Sequence, residues 1–177
     1  MGQFMELCLN RQSCRNFSDK PVEHDKLQQI IEAARLTPSA CNSQPWRFVV
    51  ACTPEAVAQI AEAGQQLGIN AFLVKAKAFI VVLESHAVLM ARLRSFIDSQ
   101  YFAKGDIGAA TVSICYAAQD LGLGSCIIGL FDREKIAKAI GIDANQRIAA
   151  LVAIGYPDED QIRTKSRKDT DDIARFV

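Results

Sequence analysis

Four short apolar runs constrain the fold of this chain more than any other feature: 47–52 (Arg-Phe-Val-Val-Ala-Cys), 79–83 (Phe-Ile-Val-Val-Leu), 125–130 (Ser-Cys-Ile-Ile-Gly-Leu) and 148–154 (Ile-Ala-Ala-Leu-Val-Ala-Ile). Each has strand length and lies in a stretch bounded by turn formers or charged residues. Between them run longer segments whose apolar residues recur at helical spacing. Strands alternating with amphipathic helices can bury both kinds of apolar face only by layering. The expected fold class is therefore α+β, a mixed sheet packed between helices.

Punctuating residues set the helix limits. Residues 3–10 read as a short helix with Phe4, Leu7 and Cys8 on one face. A second helix is expected over about 25–36, with Leu27, Ile30, Ile31 and Ala34 inward, stopped by Thr37-Pro38. Thr53-Pro54-Glu55 places an N-cap before a proline at the first helical position, predicting a helix to about Gly64. Residues 70–77 read as a further helical piece. The longest helix is expected over 106–121, with Ile107, Ala110, Ile114, Ala117 and Leu121 on one face and Gly122 as its C-terminal cap. Asp132 caps a last helix that ends at Gly141. The 22 residues from Tyr156 differ: 11 are Asp, Glu, Lys or Arg. With Ile162, Ile173, Phe176 and Val177 as their main apolar side chains they cannot form a core. They are either disordered or lie across another surface. No repeat or linker divides the chain, so one domain over residues 1–177 is expected.

Twenty Lys and Arg balance twenty Asp and Glu. A neutral chain offers no broad field to nucleic acid or an anionic bilayer. Any cation cluster must be local, as a small anionic ligand requires. The six cysteines, Cys8, Cys14, Cys41, Cys52, Cys115 and Cys126, form no C-x-x-C pair, and only His24 and His86 could join them. That set does not suggest a structural zinc site. Cys52, Cys115 and Cys126 lie in apolar runs and read as buried, reduced thiols. No apolar stretch reaches the roughly 20 residues of a membrane span, and no long apolar leader is evident. A cytoplasmic protein without membrane or nucleic-acid partners is expected.

Local cation clusters do occur, one near each end. Arg11-Gln12-Ser13-Cys14-Arg15 sets two cations around a hydroxyl, and Lys165-Ser166-Arg167-Lys168 again flanks a hydroxyl with cations, in a cation-x-cation pattern. Arginine suits a phosphate because its planar guanidinium donates two parallel hydrogen bonds. These segments, with Thr37-Pro38-Ser39-Ala40-Cys41-Asn42-Ser43-Gln44-Pro45-Trp46 between them, resemble the nitroreductase family of FMN-dependent oxidoreductases, and the resemblance extends from Arg11 to Arg167.

The resemblance implies a nitroreductase-like homodimer that exchanges its C-terminal tail, with FMN at the interface. By it, Arg11, Gln12, Ser13, Lys165 and Arg167 hold the flavin phosphate, and Arg15 lies near N1 and O2 of the ring. A cation there favours the negative charge that reduction places on that edge. Pro38, Ser39 and Ala40 resemble a loop that meets the flavin across the dimer interface, with Ala40 in place of the commoner serine. Asn42 belongs to the closely matching run that follows. Gly122-Leu123-Gly124-Ser125-Cys126 precedes a strand and is not a dinucleotide-binding glycine loop. By resemblance it leads to backbone contacts from Ile127, Ile128 and Gly129. Asn70 reads equally as a flavin contact or as a surface-loop residue. Phe96, Tyr101 and Phe102 line a substrate pocket or form a helix-face core. No nucleophile elbow is present, as suits an enzyme whose cofactor carries the chemistry. The activity implied is electron transfer from NADH or NADPH to a small-molecule acceptor, a nitroaromatic, quinone or similar, by a ping-pong mechanism. The alternatives are a non-catalytic FMN-binding or flavin-storage protein, and another flavin chemistry such as reductive dehalogenation or flavin fragmentation.

Overall fold

Period-2 apolar patterning gives the sheet two buried faces, and each attracts its own pair of helices. The structure, a computed structural model, describes residues 1–93, 98, 100–158 and 161–177. Four strands, β1 (Trp46–Ala51), β2 (Ala78–Glu84), β3 (Gly124–Ile128) and β4 (Ile148–Gly155), lie in the order β1-β2-β4-β3. All three pairings are antiparallel, which corrects the expected mixed sheet. Among the described residues, parallel pairing survives only as an isolated bridge between Ser13 and Ser125. Helical alternation with strands could not distinguish these cases, because a connecting helix can return a chain on either side of a strand.

The helices α1 (Gln3–Asn10), α2 (His24–Arg35), α3 (Pro54–Ala63), α4 (Ala103–Asp120), α5 (Arg133–Ile140) and α6 (Thr170–Ile173) match the expected set within a few residues, with α6 added in the tail. Residues 70–77 form a shorter 3-10 segment, Ala71–Lys75. The caps behave as their chemistry dictates. Thr53 accepts from the Ala56 amide at 3.4 Å, and Asp132 accepts from the Lys135 amide at 3.1 Å. Gly141 closes α5 in the left-handed conformation.

One sheet face packs on α2 and α4 through Ala78, Ile80, Val82, Val152 and Ile154. The other packs on α3 and α5 through Phe79, Val81, Leu83, Leu151 and Ala153. A register shift between Val82 and Leu83 sends Ile148 to the second face although Ala150 serves the first. One extra residue at a bulge has this effect, because side chains alternate with period two. Every residue of β2 is buried. Its end is tied down at Glu84, whose buried carboxylate accepts from Arg147 Nε at 3.0 Å and from Gln100 Nε2 at 2.8 Å.

Cys115 and Cys126 are buried as expected. Cys52 is exposed, a correction: it follows the last residue of β1 and precedes the N-cap of α3, where the run has already left the sheet. Helix α4 is apolar almost all round, and such a helix needs cover on every side. Its outer face leaves Val112 exposed, and with Phe4, Leu7 and Tyr116 it walls an apolar groove of about 690 Å3. No described helix is long and apolar enough to cross a membrane.

Candidate functional site

The segment from Arg11 to Phe17 is laid along the outer edge of β3. Cys14 N donates to Ser125 O at 2.9 Å, and Phe17 bridges Pro157. Two glycines make this approach possible. A Cβ on Gly124 would lie 2.7 Å from both Cβ and Sγ of Cys14, and one on Gly155 would lie 2.8 Å from the Phe17 ring. Side chains at either position would lift the segment off the sheet. Arg11, Ser13 and Arg15 occupy alternate positions along it.

The tail returns to the same place from the far end of the chain. Lys165 Nζ donates to Arg11 O. Arg163 Nη2 donates to Ser13 O at 2.6 Å, and Gln12 Nε2 donates to Gln161 O at 2.9 Å. Partial burial, followed by the charges of Arg11, Arg167 and Arg163, pushes the Lys165 ammonium below its ordinary value. Among the described residues, no ion pair links Arg11, Arg15, Arg163, Lys165 or Arg167 to a carboxylate. An anion would relieve the crowding of these cations, and the Arg, Lys and Ser donors suit a phosphate.

Arg15 marks the other end of the site. Burial raises the Cys126 thiol, while Arg15 and the Ser13 hydroxyl pull it down, which places both beside β3. Because Ser125 O points outward to Cys14, strand alternation turns the N–H and C=O of Ile127 to the same edge. The Ile127 side chain is exposed. Ile128 turns its peptide groups toward β4 and buries its side chain, and Gly129 lies exposed just beyond the strand. A cleft of about 590 Å3 opens beside Ser13, Arg15, Gly124, Tyr156 and Arg163.

The remaining candidates lie elsewhere. Pro38, Ser39, Ala40 and Asn42 follow α2 in a tight turn held to α4, where Ala40 N donates to Asp106 Oδ2 at 3.1 Å and Thr37 Oγ1 bonds Ser113 Oγ at 2.9 Å. Ser39 Oγ accepts from Gln44 N at 2.9 Å. Cys41, Asn42 and Gln44 all have positive φ. Such backbone is costly for residues other than glycine and asparagine and persists where surroundings enforce it. Within one chain no described hydrogen bond joins this turn to the cation cluster. Asn70 is left-handed and gives its side-chain amide to Gly64 O at 3.2 Å. Tyr101 and Phe102 stack edge-on at 5.1 Å between ring centroids, with Tyr101 exposed. Phe96 lies outside the described residues. Sequence reasoning stopped at Lys165 and missed Arg163, although one more step of the same alternation, Arg163-x-Lys165-x-Arg167, reaches it.

The fold is an antiparallel α+β sandwich with a cation cluster on one sheet edge. A sequence profile of the Nitroreductase family matches residues 9–71 and 62–156. A Thermus thermophilus NADH dehydrogenase is 32% identical, with 86% of this chain and 85% of that one covered. An oxygen-insensitive NADPH nitroreductase of Helicobacter pylori is 30% identical, with 85% of each chain covered. Among solved structures, a nitroreductase family protein of Clostridium novyi superposes with a TM-score of 0.76 at 26% identity, covering 89% of this chain and 87% of that one. A protein of Exiguobacterium sibiricum crystallised with FMN gives 0.84 at 22% identity, covering 100% and 98%. The chain belongs to the nitroreductase family.

Proposed function

We propose that this protein is an FMN-dependent oxidoreductase that takes electrons from NADH or NADPH and passes them to nitroaromatic, quinone or similar acceptors by a ping-pong mechanism. The observation that carries the reading is the meeting of Arg11, Ser13, Lys165 and Arg167 from both ends of the chain, with no carboxylate among them. That donor set fits a flavin phosphate. FMN when bound supplies hydride acceptance from a nicotinamide and onward delivery of electrons. The chain's own residues bind and orient it. Arg11 and Arg167 face the phosphate with Lys165, and Ser13 gives a hydroxyl. Arg15 stands where negative charge collects on reduction, and its fixed charge favours that state. The outward N–H of Ile127 can donate to the ring edge. FMN in the Exiguobacterium structure and the donors in the relatives' names support this assignment.

The working unit in this reading is a homodimer. The turn over 38–42 shares no described hydrogen bond with its own chain's cations and fits contact with a partner's flavin. Exposed Ile173 and Phe176 fit exchange of the tail beyond Arg167. Two measurements test the function. The purified protein, denatured, should release FMN; FAD, or no flavin even after reconstitution, rejects the reading. Anaerobic steady-state rates with NAD(P)H and a quinone should give parallel double-reciprocal lines. Flavin that is bound yet passes no electrons onward would leave a storage protein.

A further inference from the structure

We infer that Arg163 is a positioning residue of the phosphate site, which fastens the tail to the N-terminal segment so that the two form one anion-binding unit. The inference rests on the phosphate reading above. Two of the five guanidinium N–H donors of Arg163, and its backbone amide, hold the N-terminal segment: Nη2 donates to Ser13 O at 2.6 Å, Nε to Gln12 Oε1 at 3.1 Å, and the amide to the same oxygen at 3.1 Å. Gln12 Nε2 answers with its bond to Gln161 O at 2.9 Å. Lys165 adds the tie to Arg11 O. Residues 161–165 are thereby fastened to residues 11–13 across a sequence separation of about 150.

The chemistry of each residue suits this fastening. A guanidinium reaches two acceptors on different residues at once, which an ammonium on a flexible stem does not reproduce. An amide both accepts from Arg163 and donates to Gln161, which a carboxylate does not. Gln12 is then the partner of Arg163 and not a contact of the phosphate. The fastening also opposes a repulsion. Lys165 is crowded by Arg11, Arg167 and Arg163, and without the neutral bonds through Gln12 and Ser13 these like charges would separate when no anion is bound.

The test is reconstitution of the full-length chain with FMN and with riboflavin, followed by flavin fluorescence, for Arg163→Ala, Arg163→Lys and Arg11→Ala. Both Arg163 variants should weaken FMN by about tenfold, the scale of losing one or two ordinary hydrogen bonds. Riboflavin, which lacks the phosphate, should bind them as it binds the unaltered chain. Amide exchange at Gln12 to Cys14 should quicken in both. Arg163→Lys at unaltered affinity would show that charge alone suffices and would overturn the inference. So would unchanged FMN binding in Arg163→Ala alongside weakened binding in Arg11→Ala, an outcome that leaves the phosphate reading standing. Unchanged binding in all three variants would remove that reading as well.

Discussion

Arg11 and Arg15 sit four residues apart yet have different tasks in the proposed function, and substitution should separate them. Arg11→Ala removes a hydrogen bond to a charged group, worth roughly 1.5–3 kcal/mol, so FMN affinity should fall by about 10- to 150-fold in a fluorescence titration. Arg15→Ala should act on the redox potential instead, since its partner is a charge that appears on reduction. A spectroelectrochemical titration should find the potential lowered. Lys165 adds a pH dependence. Its ammonium is held below the ordinary value of 10.5 by partial burial and its cationic neighbours. Deprotonation removes a phosphate partner, so FMN affinity should fall as pH rises through the alkaline range below that value, and Lys165→Arg should flatten the profile. Most of this cluster was legible in the sequence as residue type and spacing. Arg163 was not, because what makes it matter is a pair of acceptors, Gln12 and Ser13, that only folding brings near. Asn70 reads from sequence equally as a flavin contact or a loop residue, and in the fold its side-chain amide donates to Gly64 O.

At the scale of elements, the approach of the 11–17 segment to β3 depends on what two glycines lack. Gly124→Ala should push against Cys14 and Pro157, and Gly155→Ala against Phe17. Overpacking of this kind costs about 1–3 kcal/mol. Thermal unfolding should show that loss for both variants, and Gly124→Ala should also shed FMN because Ser13 and Arg15 move with the segment. The helix and strand positions followed from caps and periodicity, which are local. Strand direction did not follow. The pairing of β2 with β4, nearly 70 residues later, is decided by packing between distant parts of the chain. The same distance hid the bulge that turns Ile148 to the other face. Cys52 was misread because an apolar run carries no mark of where its sheet stops.

For the whole molecule, the outer face of α4 is decisive. A Cβ on Gly108 meets nothing within 4 Å in the single chain. On a free helix surface Gly108→Ala should add up to about 1 kcal/mol of stability. If the proposed dimer buries that face, the substitution should instead destabilise the protein and weaken the dimer, read by calorimetry and light scattering. Two truncations divide the duties of the tail. A chain ending at Pro157 should lose FMN, whereas one ending at Lys168 should keep its own phosphate ligands and lose mainly dimer stability. The tie between Arg11 and Lys165 spans 154 positions. Closing so long a loop is entropically affordable, since cost grows only with the logarithm of length, but it imposes an order on biosynthesis. The last described strand ends at Gly155, while Arg167, proposed above as a phosphate ligand, is synthesised a dozen residues later. On the proposed reading, FMN would then be loaded onto a chain whose sheet can already have formed, and flavin-starved cells should yield folded apoprotein.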